Sequence, residues 1–374
     1  MRHWFLTDQQ WEGSGVSDSA RTLGGGVAIP AIDIEYIERI LCDLCRIPSP
    51  TGFTDAAIAF VEREFERLGV ATRRTVKGAL VATLPGGREG EARALAAHVD
   101  TLGAMVAHIQ EKGRLRLTQL GSYPWSAIEG EYCTVHTSGG REYTGTIMVS
   151  AASAHVHGPG TAKMERGADT MEVRLDARTG SARQTRALGI EVGDFVSLDP
   201  RTTVAGDGFI KSRHLDDKAA VACLLGVIRA LDGRLPARTS HFFISNYEEV
   251  GHGAAAGIPS DTEELIAVDM AAIGEGFQTS DEFSVTICVK DGSGPYDHGL
   301  STRLRALGDA YAIPYKVDIY RYYSSDASAG QRAGGAYRAA LIGPGVDASH
   351  SFERTHRDAL WATTALCLAY LLDG

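Results

Sequence analysis

Apolar residues recur at helical spacing in several stretches of the chain. Within residues 34–47 they fall on one face, at intervals of three and four, and residues 357–372 show a similar pattern. Residues 218–231 are apolar almost throughout, and an Ala-rich stretch follows Gly251. Apolar positions at this period form a stripe along one side of a helix. We therefore predict helices in these four places and a fifth after Thr54, a residue type that caps helices well.

Short apolar runs between polar or Gly-rich segments predict buried strands. The clearest runs are at residues 93–98, 242–244, 265–268 and 339–342. Outside residues 104–205 these runs alternate with the predicted helices, which is typical of helices packed on both faces of a parallel sheet. The predicted fold class is therefore α/β, a three-layer sandwich with a mostly parallel central sheet.

Residues 104–205 have a different pattern. Short strand-like runs alternate with turns there. Residues 131–148 contain two runs in which apolar and polar residues alternate, which predicts a β-hairpin. We interpret this region as a small β-rich domain inserted into a main domain made of residues 32–103 and 206–374. Residues 1–31 contain three consecutive glycines and scattered serines, so we expect a flexible arm.

The composition narrows the classes of partner. With 374 residues, 44% of them hydrophobic and 22% charged, the chain is expected to be a globular protein of two domains. A formal net charge of -10 disfavours nucleic acid and anionic membranes as partners, because both select basic surfaces. The longest apolar run, residues 219–231, is too short for a bilayer, and the N-terminus lacks the core of a signal peptide. Six cysteines scattered among apolar residues favour free thiols in a reducing cytoplasm.

Polar residues of the types that commonly bind metal ions follow several of the predicted strands. They are His98, Asp100, Glu248, Glu249, Asp269 and His350, and Asp216 opens a predicted helix. The carboxyl ends of neighbouring parallel strands meet at one edge of a sheet, where ligands bind. Taken singly, these residues have ordinary explanations, such as a solvated acidic turn or a carboxylate that caps a helix. Their common position at strand ends favours a single site.

The residue types in this set predict a pair of divalent cations. Two histidines and three carboxylates suit two zinc-like ions with one carboxylate between them. Glu248 and Glu249 should point apart, because side chains alternate along a strand. One of these acids can then bind metal while the other acts as a general base. A two-metal site of this kind acidifies water and polarises a carbonyl group, which is the chemistry of amide hydrolysis.

These motifs resemble, in order and spacing, those of the glutamyl and tetrahedral aminopeptidases, cytosolic dinuclear enzymes of metallopeptidase family 42. The motifs are His98-Val99-Asp100-Thr101-Leu102-Gly103, Leu215-Asp216-Asp217-Lys218, Glu248-Glu249-Val250-Gly251, Val268-Asp269 and His350-Ser351. The resemblance covers roughly residues 32–374 and implies that residues 104–205 form an inserted β-barrel. It also implies two divalent ions per subunit, Zn with Co or Mn as alternatives, and homo-oligomers from dimer to dodecamer.

The resemblance assigns each metal ligand to a site. Asp216 bridges the two ions. His98 and Asp269 complete one metal site, and Glu249 and His350 complete the other.

Two catalytic residues are implied by the same resemblance. Glu248 is the base that takes a proton from a metal-bridging water, and Asp100 orients His98. The expected function is hydrolysis of the N-terminal residue of short peptides. One alternative is an amidohydrolase or deacylase that acts on a small N-acylated peptide or amide. A non-catalytic binding protein that keeps the fold is another, although Glu248 and all the ligands are present.

The sequence departs from the family pattern in two places. Lys218 stands where Arg is common after the Asp pair. After the His-Ser pair the family commonly has a Pro and then a Glu further along, and this chain has residues 352–356 there instead. Residues 321–326 and 353–356 look more like a bacterial subgroup. Its genes accompany synthesis of the osmoprotectant N-acetylglutaminylglutamine amide. This likeness implies a non-standard peptide substrate.

Overall fold

The computed structural model describes residues 28–275 and 279–374, so residues 1–27 of the predicted arm lie outside the described residues. The α-helices are α1 (Ile34–Cys45), α2 (Asp55–Arg67), α3 (Ala154–His157), α4 (Gly160–Lys163), α5 (Ala182–Ala187), α6 (Leu215–Leu231), α7 (His298–Ala310), α8 (Asp326–Arg332) and α9 (Arg357–Leu372). The strands are β1 (Thr72–Arg74), β2 (Leu80–Leu84), β3 (Ala92–His98), β4 (Gly103–Ile109), β5 (Leu115–Leu120), β6 (Tyr132–His136), β7 (Glu142–Val149), β8 (Met171–Leu175), β9 (Phe195–Leu198), β10 (Thr203–Val204), β11 (Phe209–Ser212), β12 (Ser240–Ser245), β13 (Thr262–Val268), β14 (Ala271–Ile273), β15 (Val285–Asp291), β16 (Gly294–Pro295), β17 (Tyr315–Ile319), β18 (Arg338–Asp347) and β19 (Glu353–His356). Within the described ranges, no helix has both the length and the apolar character needed to cross a bilayer.

The centre of the main sheet is parallel, and its flanks are mostly antiparallel. Strands β12, β3, β13 and β18 lie side by side and run in the same direction. Strands β2 and β1 continue the sheet on one flank, and β19, β11 and β10 continue it on the other. Because the four central strands are parallel, their carboxyl ends share one edge of the sheet.

Apolar layers cover both faces of this sheet. Phe242 of β12 belongs to the core beneath α1, α2, α6, α7 and α9, whereas its neighbour Phe243 belongs to a second core that includes Ala327 of α8. Successive side chains along a strand point to opposite faces, so adjacent apolar residues serve both layers. The predicted α/β sandwich is confirmed.

The inserted β-barrel is also confirmed. Strands β4, β5, β8, β7, β6 and β9 close into a barrel in that order, and each neighbouring pair is antiparallel. Alternating apolar side chains such as Val106, Val135, Ile147 and Val173 fill its interior. The barrel strands lie between β3 and α6 in the sequence, so the chain leaves the main sheet after the motif of His98 and returns shortly before the motif of Asp216.

The Ala-rich stretch after Gly251 forms turns, so the predicted helix there is wrong. The buried carboxylate of Asp326 accepts a hydrogen bond from the amide of Ala254 at 2.7 Å. An oxygen of the same carboxylate lies only 2.2 Å from where a Cβ on Gly253 would be. This tertiary contact outweighs the helical preference of alanine.

The neighbourhood of the acidic pair also differs from expectation. Strand β12 ends at Ser245, and Glu248–Val250 is a single 3-10 turn. Alternation along a strand therefore does not set the directions of Glu248 and Glu249. Helix α8 was not predicted either, although Ser325 and Ser328 cap its first turn reciprocally.

Gly343 of β18 allows β18 to lie against the backbone of Asp269. A Cβ at position 343 would lie 1.6 Å from the Asp269 carbonyl oxygen. We expect Gly343→Ala to push the two strands apart and lower the free energy of unfolding by about 1–3 kcal/mol, measured by denaturant titration. Gly160→Ala is the control, because its Cβ would meet nothing within 4 Å. Equal destabilisation in both variants would contradict this explanation.

Candidate metal centre

The carboxyl ends of the central strands bring the predicted site residues together. His98 is the last residue of β3, Asp269 directly follows β13, and His350 lies shortly after β18. Asp216 lies in the first turn of α6, and the Glu248–Glu249 pair lies just beyond β12. All of these residues therefore surround one edge of the sheet.

Two groups of candidate ligands share Asp216. In one group His98, Asp216 and Asp269 offer atoms within 4.8 Å of one another, and in the other Asp216, Glu249 and His350 do so. One Asp216 carboxylate oxygen lies 3.2 Å from His98 Nε2, and the other lies 3.2 Å from His350 Nε2. Asp216 thus presents one oxygen to each group, which is the arrangement a bridging carboxylate requires.

Backbone carbonyls orient both histidines. The Nδ1 atom of His98 lies 2.9 Å from the carbonyl oxygen of Asp100, and Nδ1 of His350 contacts the carbonyl oxygen of Ser122. A carbonyl oxygen only accepts hydrogen bonds, so each Nδ1 carries a hydrogen. In the neutral rings the lone pair is then on Nε2, which faces Asp216. A hydrogen bond at the second ring nitrogen is the usual support of a metal-binding histidine.

The two adjacent glutamates face different histidines. A carboxylate oxygen of Glu248 lies 3.9 Å from His98 Nε2, and one of Glu249 lies 3.7 Å from His350 Nε2. Glu249 belongs to the second ligand group, whereas Glu248 belongs to neither group. Glu248 is therefore a carboxylic acid that lies beside the candidate ligands without belonging to either ligand group.

Asp100 holds the acidic pair in place. It is fully buried, and its carboxylate accepts hydrogen bonds from the backbone amides of Glu248 at 3.1 Å and Glu249 at 3.2 Å. The hydroxyl of Thr51 donates to the same carboxylate at 2.8 Å. The side chain of Asp100 comes no closer than 3.5 Å to His98 Nδ1. Asp100 therefore makes its closest contact with the His98 ring through its backbone carbonyl group. Its carboxylate binds the backbone amides of Glu248 and Glu249.

Two buried acids without an assigned role hold neighbouring backbone. Asp217 accepts a hydrogen bond from the amide of His98 at 3.2 Å. Asp326 accepts hydrogen bonds from the amide of Ala254 and the hydroxyl of Ser245. Asp217 adjoins the bridging residue in sequence. Asp326 lies in the segment 321–326, which departs from the common family pattern in the sequence.

Glu353 was also missed as a site residue. Its carboxylate accepts hydrogen bonds from the amide of Asp216 at 3.2 Å and the amide of His350 at 3.1 Å. One partner, the amide of Asp216, is more than a hundred residues away in the sequence. The other, the amide of His350, lies in a turn of irregular shape. Spacing in the sequence does not reveal such contacts.

The crowding of acids changes their protonation. Burial raises the pKa of Glu248 and Glu249 well above the ordinary value, and it raises the pKa of Asp269 to about 7. Burial alone would lower the pKa of His350, but the hydrogen bond to Asp216 and the charge of Glu249 outweigh it and raise that pKa to about 10. Burial alone would raise the pKa of Asp216, but the two histidines beside its carboxylate oxygens hold that pKa below the ordinary value. Protons therefore neutralise this cluster unless another cation does so.

Two buried ligand atoms test whether the residues fit a metal ion. His98 Nε2 and Glu249 Oε1 have no hydrogen-bond partner among the described residues. A buried polar atom without a partner costs about 1–3 kcal/mol. Imidazole nitrogen and carboxylate oxygen are the donors that zinc-like ions bind. The donor set and its unpaired atoms fit a divalent cation in each group.

The ligand groups open into a cleft of about 1020 Å³. Glu248 lines the cleft, and so does the barrel segment 122–124. Met270, Ile273 and Tyr322 are among the apolar and aromatic residues of its walls. The cleft is large enough for a short peptide, since pockets for small ligands measure about 300–1,000 Å³.

Comparisons with known proteins agree with this geometry. The family model described as M42 glutamyl aminopeptidase matches residues 78–366. YhfE of Bacillus subtilis, a protein named as an aminopeptidase, is 50% identical over 335 residues, which is 89% of this chain and 96% of YhfE.

Solved structures share the fold. Aminopeptidase APDkam598 of Desulfurococcus kamchatkensis superposes with a TM-score of 0.82 at 21% identity, covering 91% of this chain and 95% of that one. The TET1 peptidase of Pyrococcus horikoshii has a TM-score of 0.78 at 21% identity, covering 90% of this chain and all of that one, 100%. The family match over most of the chain and the half-identical relative show that the chain belongs to the M42 glutamyl aminopeptidase family and is a peptidase of the aminopeptidase type.

Proposed function

We propose that the chain is an aminopeptidase that uses two divalent metal ions to remove the N-terminal residue of short peptides. The observation that carries this proposal is the pair of ligand groups joined by Asp216, with the uncommitted acid Glu248 beside them. The family is one of metal-dependent peptidases, which supports the same reading.

The ligand groups define which residues would hold the ions. His98, Asp216 and Asp269 would bind the first ion, and Asp216, Glu249 and His350 would bind the second. Zinc suits this mixture of imidazole and carboxylate ligands, and cobalt or manganese are alternatives. When bound, such ions lower the pKa of a water molecule and polarise the carbonyl group of the scissile bond.

Glu248 would act as the general base. Its carboxylate lies at the cleft, its side chain is 12% exposed, and it is next to the His98 ligand group. It would accept a proton from the attacking water and pass that proton to the nitrogen of the leaving peptide. Asp100 holds the backbone of Glu248 and so keeps the base at one position.

The remaining expectations are proposals of the same kind. We propose that residues 32–103 and 206–374 are the catalytic domain, that residues 104–205 are a separate inserted domain, and that residues 1–31 are an arm. All six cysteines are free and buried, which supports a cytoplasmic location. The TET1 peptidase of Pyrococcus horikoshii assembles into a tetrahedron or a large octahedral shell, which supports a homo-oligomer here. The link to an osmoprotectant system stays a prediction.

Replacing Glu248 by glutamine removes the proton acceptor and keeps its size. We expect kcat for peptide hydrolysis to fall about 10²- to 10⁴-fold, while metal content, measured by elemental analysis, stays at the parental level. Glu249→Gln is the matched control, and we expect it to lose metal as well as activity. A Glu248→Gln variant that hydrolyses peptides at the parental rate would show that the base has been assigned to the wrong residue.

The preference of the enzyme for substrates with a free or an acylated amine distinguishes an aminopeptidase from a deacylase. We expect an amino-acid anilide with a free amine to be hydrolysed with a far higher kcat/KM than its N-acetylated form, because a free amine has a lone pair that a metal ion can accept and acetylation removes it. Steady-state kinetics on both compounds measure this, with Glu248→Gln as the control for contaminating peptidases. The opposite preference would identify a deacylase, and metal binding without hydrolysis of either compound would indicate a binding protein.

Removing the ions should make stability depend on pH. Burial raises the pKa of Asp269 to about 7 and that of Glu353 to about 8, above the value of about 4 in an unfolded chain. The folded state then binds protons more tightly than the unfolded state, so its stability is greatest at low pH and falls as pH rises through these values.

For the chelated protein we therefore expect the free energy of unfolding to decrease from about pH 4 to about pH 8. Denaturant titrations with and without a chelator measure the effect, and metal-loaded protein should lose less stability over the same interval. A rise in the stability of the chelated protein across this interval would contradict the raised pKa values of Asp269 and Glu353.

A further inference from the structure

Glu353 lies directly behind the second ligand group. It is the first residue of β19, and it is 2% exposed. Its Oε1 accepts the backbone amide of His350 at 3.1 Å, and its Oε2 accepts the backbone amide of Asp216 at 3.2 Å. Both oxygens therefore face backbone, and Glu353 is not a member of either ligand group.

The two amides need a partner of this kind. The amide of Asp216 is in the first turn of α6, where helix amides lack an acceptor within the helix. His350 has a φ of 61°, so its backbone lies in the left-handed region and outside any strand or helix. One carboxylate satisfies both donors, although they are far apart in the sequence.

The same contacts set the distance between two candidate ligands. Asp216 and His350 approach to 3.2 Å between a carboxylate oxygen and Nε2. Glu353 holds the backbone of both residues and so limits how far either can move. A glutamine in its place would offer one oxygen and one NH₂ group, and the NH₂ group would face a backbone N–H.

We propose that Glu353 is a positioning residue for the second metal ion, holding Asp216 and His350 by their backbone amides at the spacing that the ion requires. This inference rests on the proposed two-metal function. Hydrogen-bond partners of metal ligands typically contribute about 10- to 100-fold to metal affinity. Loss of this support should therefore weaken the second ion most, because His350 belongs only to the second ligand group whereas Asp216 belongs to both.

Cobalt titration of the full-length, metal-free protein tests the inference. Visible absorption of Co²⁺ reports occupancy of each site without any assay of hydrolysis. The parent should bind two ions, and His350→Ala identifies the step that belongs to the second site. In Glu353→Gln we expect that step to weaken about 10- to 100-fold and the other, which shares only Asp216 with it, to weaken clearly less. At the second site the double variant should bind like His350→Ala alone, since both changes act on that site.

Glu172→Gln is the control for loss of a buried carboxylate. Glu172 is also 2% exposed, but it is in the barrel and is bonded to the side chains of Gln110 and Lys112. We expect both cobalt steps to be unchanged in this variant. Glu353→Asp is a second probe in case the glutamine variant does not fold. It keeps the charge, but one methylene less prevents it from reaching both amides, so the same step should weaken.

Two results would overturn the role of Glu353. In the first, a folded Glu353 variant binds both ions as the parent does. In the second, both steps weaken equally, which indicates a general effect on folding. Failure of the parent itself to bind two ions would be a different result, because it would overturn the two-metal function and the role of Glu353 with it.

Discussion

Carboxyl groups crowd the edge where the parallel strands end, and their mutual repulsion has to be offset by cations or by hydrogen bonds. The structure arranges these acids in two layers. The inner acids, Asp216, Glu249 and Asp269, point their oxygens at one another and at histidine nitrogens. The outer acids accept backbone amides, as Asp100 does from Glu248 and Glu353 does from His350. The outer layer therefore holds the segments that carry the inner layer.

This two-layer arrangement explains why elements that are distant in sequence meet so closely. The backbone amides of His98, Asp216 and His350, which lie at a strand end, at a helix start and in a turn, donate to buried carboxylates. The fold and the site therefore depend on the same residues. A substitution in the outer layer affects both the backbone and the charge balance of the ligands.

The parts of the fold and site that follow local rules could be predicted from the sequence. Periodicity identified α1, α6 and α9, and short apolar runs identified the central strands. The common position of the ligands at strand ends brought His98 and Asp269 into one candidate site. The barrel closure and the role of each ligand came from family resemblance, because spacing alone does not contain them.

Tertiary contacts account for the predictions that differed from the structure. The Ala-rich stretch after Gly251 has a helical composition, but the carboxylate of Asp326 binds its backbone and keeps it in turns. In the sequence, Glu353 stands out only as part of a departure from the family pattern. Its partners, the amides of Asp216 and His350, become visible only when the chain is folded. Backbone partners of this kind leave no periodic trace in a sequence.

The carbonyl group of Ser122 orients the ring of His350, and the barrel segment 122–124 lines the cleft. The β-barrel region is consequently a structural part of the candidate cleft. A trimmed enzyme built from the sandwich alone would lack one wall and the support of one imidazole. Evolutionary exchange of the β-barrel between relatives would thus alter the shape of the cleft and the orientation of His350 in a single event.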